Sequence, residues 1–143
     1  MVFSRQHGAY TISDDPARLD LTVIHGFITS AYWATGRTRE QVERAMRRSL
    51  CLGAYDAAGA QVAFARAVTD TVAVAHLCDV FVLPAQRGAG LGKALVAALL
   101  EHPDLAEVRR FTLNTDDAHG LYAQFGFTPL AHPEWAMERV VRQ

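Results

Sequence analysis

Arg87-Gly88-Ala89-Gly90-Leu91-Gly92-Lys93 is the stretch on which the reading of this chain turns. A β-branched, apolar run ends just before it at Val82. Apolar residues then recur at helical spacing, Leu91, Ala94, Leu95, Ala98 and Leu99, to about Glu101. The pattern predicts strand, glycine loop, helix. Glycines at 88, 90 and 92 let the backbone come close to a ligand, because no Cβ intervenes. A helix that starts there aims unpaired N–H groups and the positive end of its dipole back at the loop. Such an arrangement binds phosphate.

Two familiar phosphate loops do not fit. The P-loop pattern needs a glycine where Arg87 stands and a hydroxyl where Ala94 stands. The dinucleotide fingerprint places its third glycine at Lys93. What does fit is Arg-x-x-Gly-x-Gly, at Arg87, Gly90 and Gly92, after Val82-Leu83-Pro84. A ligand-free glycine turn is the bland alternative, and glycine of this density is destabilising without a use.

A second segment lies downstream, Thr112-Leu113-Asn114-Thr115-Asp116-Asp117-Ala118-His119-Gly120-Leu121-Tyr122-Ala123-Gln124-Phe125-Gly126-Phe127. It reads as a strand, then a short helix capped by Asp116 or Asp117 and closed by Gly126. Alone, Tyr122 would be read as a packed aromatic residue with a satisfied hydroxyl.

Together, the Arg87 loop and the Leu-Tyr-x-x-Phe-Gly-Phe segment resemble the GNAT superfamily of acyl-CoA N-acyltransferases, specifically from about Asp79 to Phe127. The resemblance implies that backbone amides of Gly88, Ala89, Gly90, Leu91, Gly92 and Lys93 hold the pyrophosphate of acetyl-CoA, with charge from Arg87. It implies that Val80, Phe81 and Val82 hold the pantetheine arm and polarise the thioester, Val82 foremost. Tyr122 then protonates the departing thiolate. Thr115 stands where the family often has an asparagine beside the pantetheine; here Asn114 is shifted by one residue.

Acyl transfer also has to take a proton from the amine. Asp79 interrupts an apolar strand just before the CoA-contacting residues, where a carboxylate is costly unless used or paired. It is the candidate base, with a structural hydrogen bond as the alternative. By strand alternation His76 falls on the other face. Asp70 reads as a turn residue. Tyr32, Trp33 and Arg37, around the break at Thr35-Gly36, are candidates for the acceptor wall, with core packing of the aromatic pair as the alternative. Arg44, Arg47 and Arg48 form a basic cluster that reads as a solvated helix face, or else as a site for an acidic acceptor or the CoA 3′-phosphate.

Composition is consistent with this reading. A chain of 143 residues, half of them hydrophobic and with net charge −1, suits a single domain spanning residues 1–143. It argues against disorder and against bulk attraction to nucleic acid. No apolar run reaches the ~18–20 residues of a membrane helix, and Met1 to Tyr10 lack a signal-peptide core. Cys51 and Cys78, without CxxC spacing, read as buried thiols in a reducing cytoplasm. The six histidines form no ligand-like cluster, so no metal is expected.

Strands are expected at Ala9–Ser13, Leu50–Tyr55, Gln61–Val68, Val72–Leu83, Arg109–Asn114, Phe127–Leu130 and Ala136–Val141. A helix is expected around Leu21–Ala31, with a second after the Thr38/Gln41 capping box. The fold expected is α/β (α+β): one GNAT-like domain with a mixed, mostly antiparallel sheet flanked by helices. The function expected is N-acetyl transfer from acetyl-CoA to a primary amine of a small molecule or peptide. The alternatives are an acetyltransferase acting on proteins or aminoacyl-tRNA, and a non-catalytic acyl-CoA-binding module. A homodimer stays open.

Overall fold

Central strands buried on both faces and a single apolar stripe on each helix build a sheet with helices on both faces. The structure, a computed structural model, describes residues 1–30 and 36–141. Six strands lie in sequence order: β1 (Ser4–His7), β2 (Tyr10–Ser13), β3 (Leu50–Tyr55), β4 (Gln61–Thr69), β5 (Val74–Val82) and β6 (Arg110–Leu113). All neighbours are antiparallel except β5 and β6, which run parallel from Val74↔Arg110 to Leu77↔Leu113.

The first expected strand forms as β2, and it is the second arm of a hairpin whose first arm, β1, was not expected. Gly8, at φ 57°, turns β1 into β2. The other turns follow from their aspartates. Asp56 Oδ1 accepts from the amides of Ala58 and Ala60, and Asp70 Oδ1 accepts from those of Val72, Ala73 and Val74.

Helix α1 (Leu21–Ser30) starts where Asp20 Oδ1 accepts from the amides of Thr22 and Val23. Helix α2 (Arg39–Arg47) carries the expected capping box between Thr38 and Gln41. Helix α3 (Leu91–Leu100) follows the glycine loop, and α4 (His119–Ala123) carries Tyr122.

Two buried clusters sandwich the sheet. Ile24 and Ile28 of α1 and Val42 of α2 pack on Cys51, Phe64 and Phe81. On the other face Leu91, Leu95, Val96, Ala98 and Leu99 of α3 pack on Ala63, Ala65, Ala67, Ala75 and Leu77. Alanines at the sheet centre let α3 approach closely, and each large apolar side chain so buried contributes roughly 1.5–3 kcal/mol.

Leu77 and Phe81 belong to opposite clusters although they are an even number of residues apart. Strand alternation alone would put them on one face. The ladder accounts for the switch: Phe64 pairs with Phe81 but Arg66 with Cys78, so β5 holds one extra residue at a bulge. Asp79 sits there at φ 54°, a left-handed conformation that aspartate tolerates better than most residues.

The two C-terminal strands are not formed. Residues 127–141 have no strand, and β6 is left as the sheet edge. Pro129 and Pro133 lack the N–H that a ladder requires, and a short 3₁₀ turn spans Pro133–Trp135. Stacking of His132 on Trp135, with centroids 3.8 Å apart, fixes that turn. Beyond it Met137, Val140 and Val141 are exposed. Apolar alternation in the sequence signalled strands, but alternation supplies no partner to pair with.

Candidate active site

The glycine loop ends in an open helix N-terminus. Gly90 is the N-cap of α3 at φ 74°, and no side chain caps the helix. Ala94 is the first residue whose amide reaches back, 3.0 Å to the Gly90 carbonyl. The amides of Leu91, Gly92 and Lys93 therefore have no partner among the described residues, and residues 84–90 are mostly exposed. This fits the phosphate-binding expectation in its backbone chemistry. Arg87 also makes a structural bond. Its Nε donates 3.1 Å to the Val82 carbonyl, so the side chain braces the strand end. On the other flank His7 Nε2 lies 3.0 Å from the Ala89 carbonyl.

Just before the loop, β5 and β6 part. Their ladder stops at Leu77 and Leu113, and a cavity of about 670 Å³ opens between Cys78–Val80 and the segment from Asn114 to Ala118. Tyr122 lines it, and is only 9% exposed. Burial, with a smaller contribution from the Asp117 carboxylate, pushes the Tyr122 phenol above its ordinary value. The group therefore keeps its proton at neutral pH and can donate it. Its hydroxyl has no partner among the described residues, while its ring meets Phe127 edge-on at 5.9 Å. A second cavity of about 900 Å³ on the outer side of β6 also reaches Tyr122.

Thr115 lies at the rim of both cavities, but its hydroxyl accepts from the Ala118 amide at 3.0 Å. It opens the α4 turn, a task expected of Asp116 or Asp117. No side chain caps the N-terminus of α4, whose N-cap position is Ala118.

Asp79 lines the same cavity from the bulge. Its Oδ2 accepts from Arg66 Nε at 2.8 Å and lies 3.6 Å from Arg37 Nη1. Arg66 also donates from Nη1 to Ser49 Oγ at 3.0 Å, and that hydroxyl donates in turn to the Ala45 carbonyl. The Arg37 backbone is held by a 3.0 Å bond between its carbonyl and His25 Nε2. His76 shares the Asp79 cavity instead of facing away from it, because the bulge breaks the alternation; its Nδ1 lies 2.9 Å from Thr112 Oγ1. Arg66 went unremarked in the sequence. Its signal was there: a lone guanidinium inside the apolar run Val62–Val68.

Tyr32 and Trp33 lie outside the described residues. Cys51 is buried, and burial pushes its thiol up to about 12. No group of metal-ligating side chains occurs among the described residues, nor is any helix there long and apolar enough to cross a membrane.

Comparison with known proteins gives the class to which this fold belongs. Residues 47–129 match the family model of the Acetyltransferase (GNAT) domain. A crystal structure from Xanthomonas campestris pv. campestris, assigned to the GNAT acetyltransferases, is 47% identical; the match covers 95% of this chain and 94% of that one, at a TM-score of 0.90. A Gibberella zeae protein assigned as an acetyltransferase is 28% identical over 82% of this chain and 77% of its own length. In fold alone, an acetyltransferase structure from Deinococcus radiodurans R1 superposes at a TM-score of 0.73, covering 99% of this chain and 94% of that one, at 19% identity. The chain belongs to the GNAT acetyltransferase family.

Proposed function

We propose that this protein transfers the acetyl group of acetyl-CoA directly to a primary amine of a small molecule or peptide, as a cytoplasmic enzyme. The observation that carries the reading is one stretch of backbone. β5 leaves its ladder with β6, lines the splayed cavity and runs at once into the loop with open amides. A thioester arm needs such a slot, and the attached pyrophosphate needs such amides.

In this reading backbone N–H groups of Val80, Phe81 and Val82 hold the arm and polarise the thioester carbonyl. The amides of Gly88, Ala89, Gly90, Leu91, Gly92 and Lys93 hold the pyrophosphate, and Arg87 adds charge there while its Nε bond to Val82 fixes the loop's entry. Thr115 borders the arm. The amine nitrogen attacks the carbonyl carbon and the C–S bond breaks. Tyr122 gives its proton to the departing thiolate, while the amine's proton passes to Asp79 directly or through a water. Tyr32 and Trp33 wall the acceptor.

The Arg66 ion pair supports a second role for Asp79, as the anchor that holds Arg66 and Arg37 beside the cavity. A non-catalytic acyl-CoA-binding module would have little use for a buried, proton-holding Tyr122. Action on aminoacyl-tRNA would call for a basic surface, which a net charge of −1 does not favour. A homodimer is part of the proposal, supported by the exposed apolar side chains of Trp135, Met137, Val140 and Val141 and by the β6 edge, which has one strand neighbour among the described residues. The test is a screen of amines and peptides with acetyl-CoA, monitored by thiol release. Thiol release that depends on an amine is expected, and binding without turnover would favour the module.

A further inference from the structure

Four guanidinium groups converge beside the transfer cavity. Arg37, Arg44, Arg48 and Arg66, with Gln41, line a hollow of about 550 Å³ on the α2 side of Asp79. No carboxylate lines it among the described residues. The carboxylate bonded there is Asp79, held by Arg66 and near Arg37. Glu40, one turn before Arg44 on α2, forms no ion pair with it among the described residues, so the lining of the hollow itself is positive.

The ordinary explanation accounts for only part of this. Basic residues at the end of α2 complement the helix dipole, and Arg47 does so while paired to Glu43. Arg44 and Arg48 are paired to no carboxylate among the described residues, and they are four apart, a spacing at which like charges repel. The repulsion is aimed at a hollow that also holds the nearly buried Arg66, braced by Ser49. A guanidinium offers planar paired donors that match carboxylate and phosphate oxygens.

Arg37 borders both this hollow and the cavity that holds Asp79 and Tyr122. A molecule with its anionic end among the arginines would extend past Arg37 toward the point of acetyl transfer. Resting on the acetyl-transfer reading above, we infer that the acceptor is an amine bearing a carboxylate or phosphate group, which Arg44, Arg48 and Arg37 receive while the amine faces the thioester.

Matched acceptors test this: ethanolamine against O-phosphoethanolamine, and propylamine against β-alanine, by thiol release with wild type and the Arg44→Ala/Arg48→Ala double variant. The anionic member of at least one pair is expected to have the higher kcat/KM. The double variant should raise its KM about tenfold or more, the loss expected from charge-assisted bonds. The KM for acetyl-CoA should stay unchanged. The phosphate and carboxylate pairs separate the two sources of the anion. Preference for the neutral members, or an unchanged KM in the double variant, overturns the inference. A rise confined to the acetyl-CoA KM also overturns it, by giving these arginines to the CoA phosphates. If no amine is turned over, acetyl transfer itself fails, and inorganic phosphate then tests the hollow alone. Phosphate should raise the melting temperature of wild type more than that of the double variant, and equal shifts would overturn the site.

Discussion

Arg66 Nε donates to Asp79 Oδ2 at 2.8 Å across β4 and β5, at the bulge where the strand before the glycine loop changes face. Both side chains are almost fully buried, so each neutralises the other where water cannot. The bond therefore connects the fold's main irregularity to the point where an amine would lose its proton.

Asp79→Asn separates the two roles of that carboxylate. The substitution keeps the shape and removes the charge. If Asp79 accepts the proton or orders the relay water, turnover falls most at low pH, where neutral amine is scarcest. If it only anchors Arg66, activity falls equally across the pH range and the melting temperature drops, because a buried guanidinium loses its partner; such losses are about 3–5 kcal/mol. Rate–pH profiles with parallel melting curves decide between them.

Tyr122→Phe tests the proton donor. The ring still packs on Phe127, so acetyl-CoA affinity should remain nearly intact. The catalytic rate should fall by about 10²-fold or more, the range typical of a lost general acid. Because the phenol is pushed above its ordinary value of 10.0, the wild-type rate should hold its acid-dependent part beyond that pH. Binding and turnover lost together would make Tyr122 a packing residue.

Alkali should destabilise the fold through Cys51 and Tyr55. Burial pushes both up to about 12, from 9.0 and 10.0. Each is neutral when protonated, so the folded state keeps its protons after the unfolded chain has released them. Stability is thus fully present below about pH 9 and is lost as pH rises toward about 12. Denaturant melts at pH 8 and pH 10.5 should show the drop, with the Cys51→Ala protein losing less between them. Equal stability of wild type at the two pH values would contradict this assignment.

The exposed apolar residues predict a dimer. Trp135 is 74% and Met137 96% exposed, and β6 has a strand neighbour on one side only among the described residues. Such surfaces are rare on monomers and invite strand pairing. Light scattering should give twice the chain mass, and Met137→Glu with Val141→Glu should halve it. A monomeric wild type would remove the dimer from the account.

Much of this was legible in the sequence, because the loop, the capping box and the Asp56 and Asp70 turns are set by local chemistry. Gly90 and Thr38 need only their neighbours to act as they do. What was not legible depends on partners distant in sequence. The bulge at Asp79 exists through pairing with β4, so the face of His76 could not be inferred from alternation. Arg66 and Asp79 are 13 residues apart in sequence, and only the β4–β5 ladder brings them together. The unformed strands at residues 127–141 have the same cause, since no strand pairs with them among the described residues. That Thr115, ahead of an uncapped α4, takes the Ala118 amide was a local choice between neighbouring oxygens.

The central claim, that the glycine loop holds acetyl-CoA by its pyrophosphate, is tested most directly by the melting temperature with and without acetyl-CoA, in wild type and in Gly90→Glu. At a ligand concentration of about 100 Kd the folded state should gain about 2.7 kcal/mol and melt several degrees higher. Glutamate at Gly90 puts a side chain in a backbone conformation of φ +74° and a negative charge beside the open amides, so the folded variant should melt lower and show no shift. An equal shift in a folded Gly90→Glu protein would place the ligand elsewhere and contradict the account.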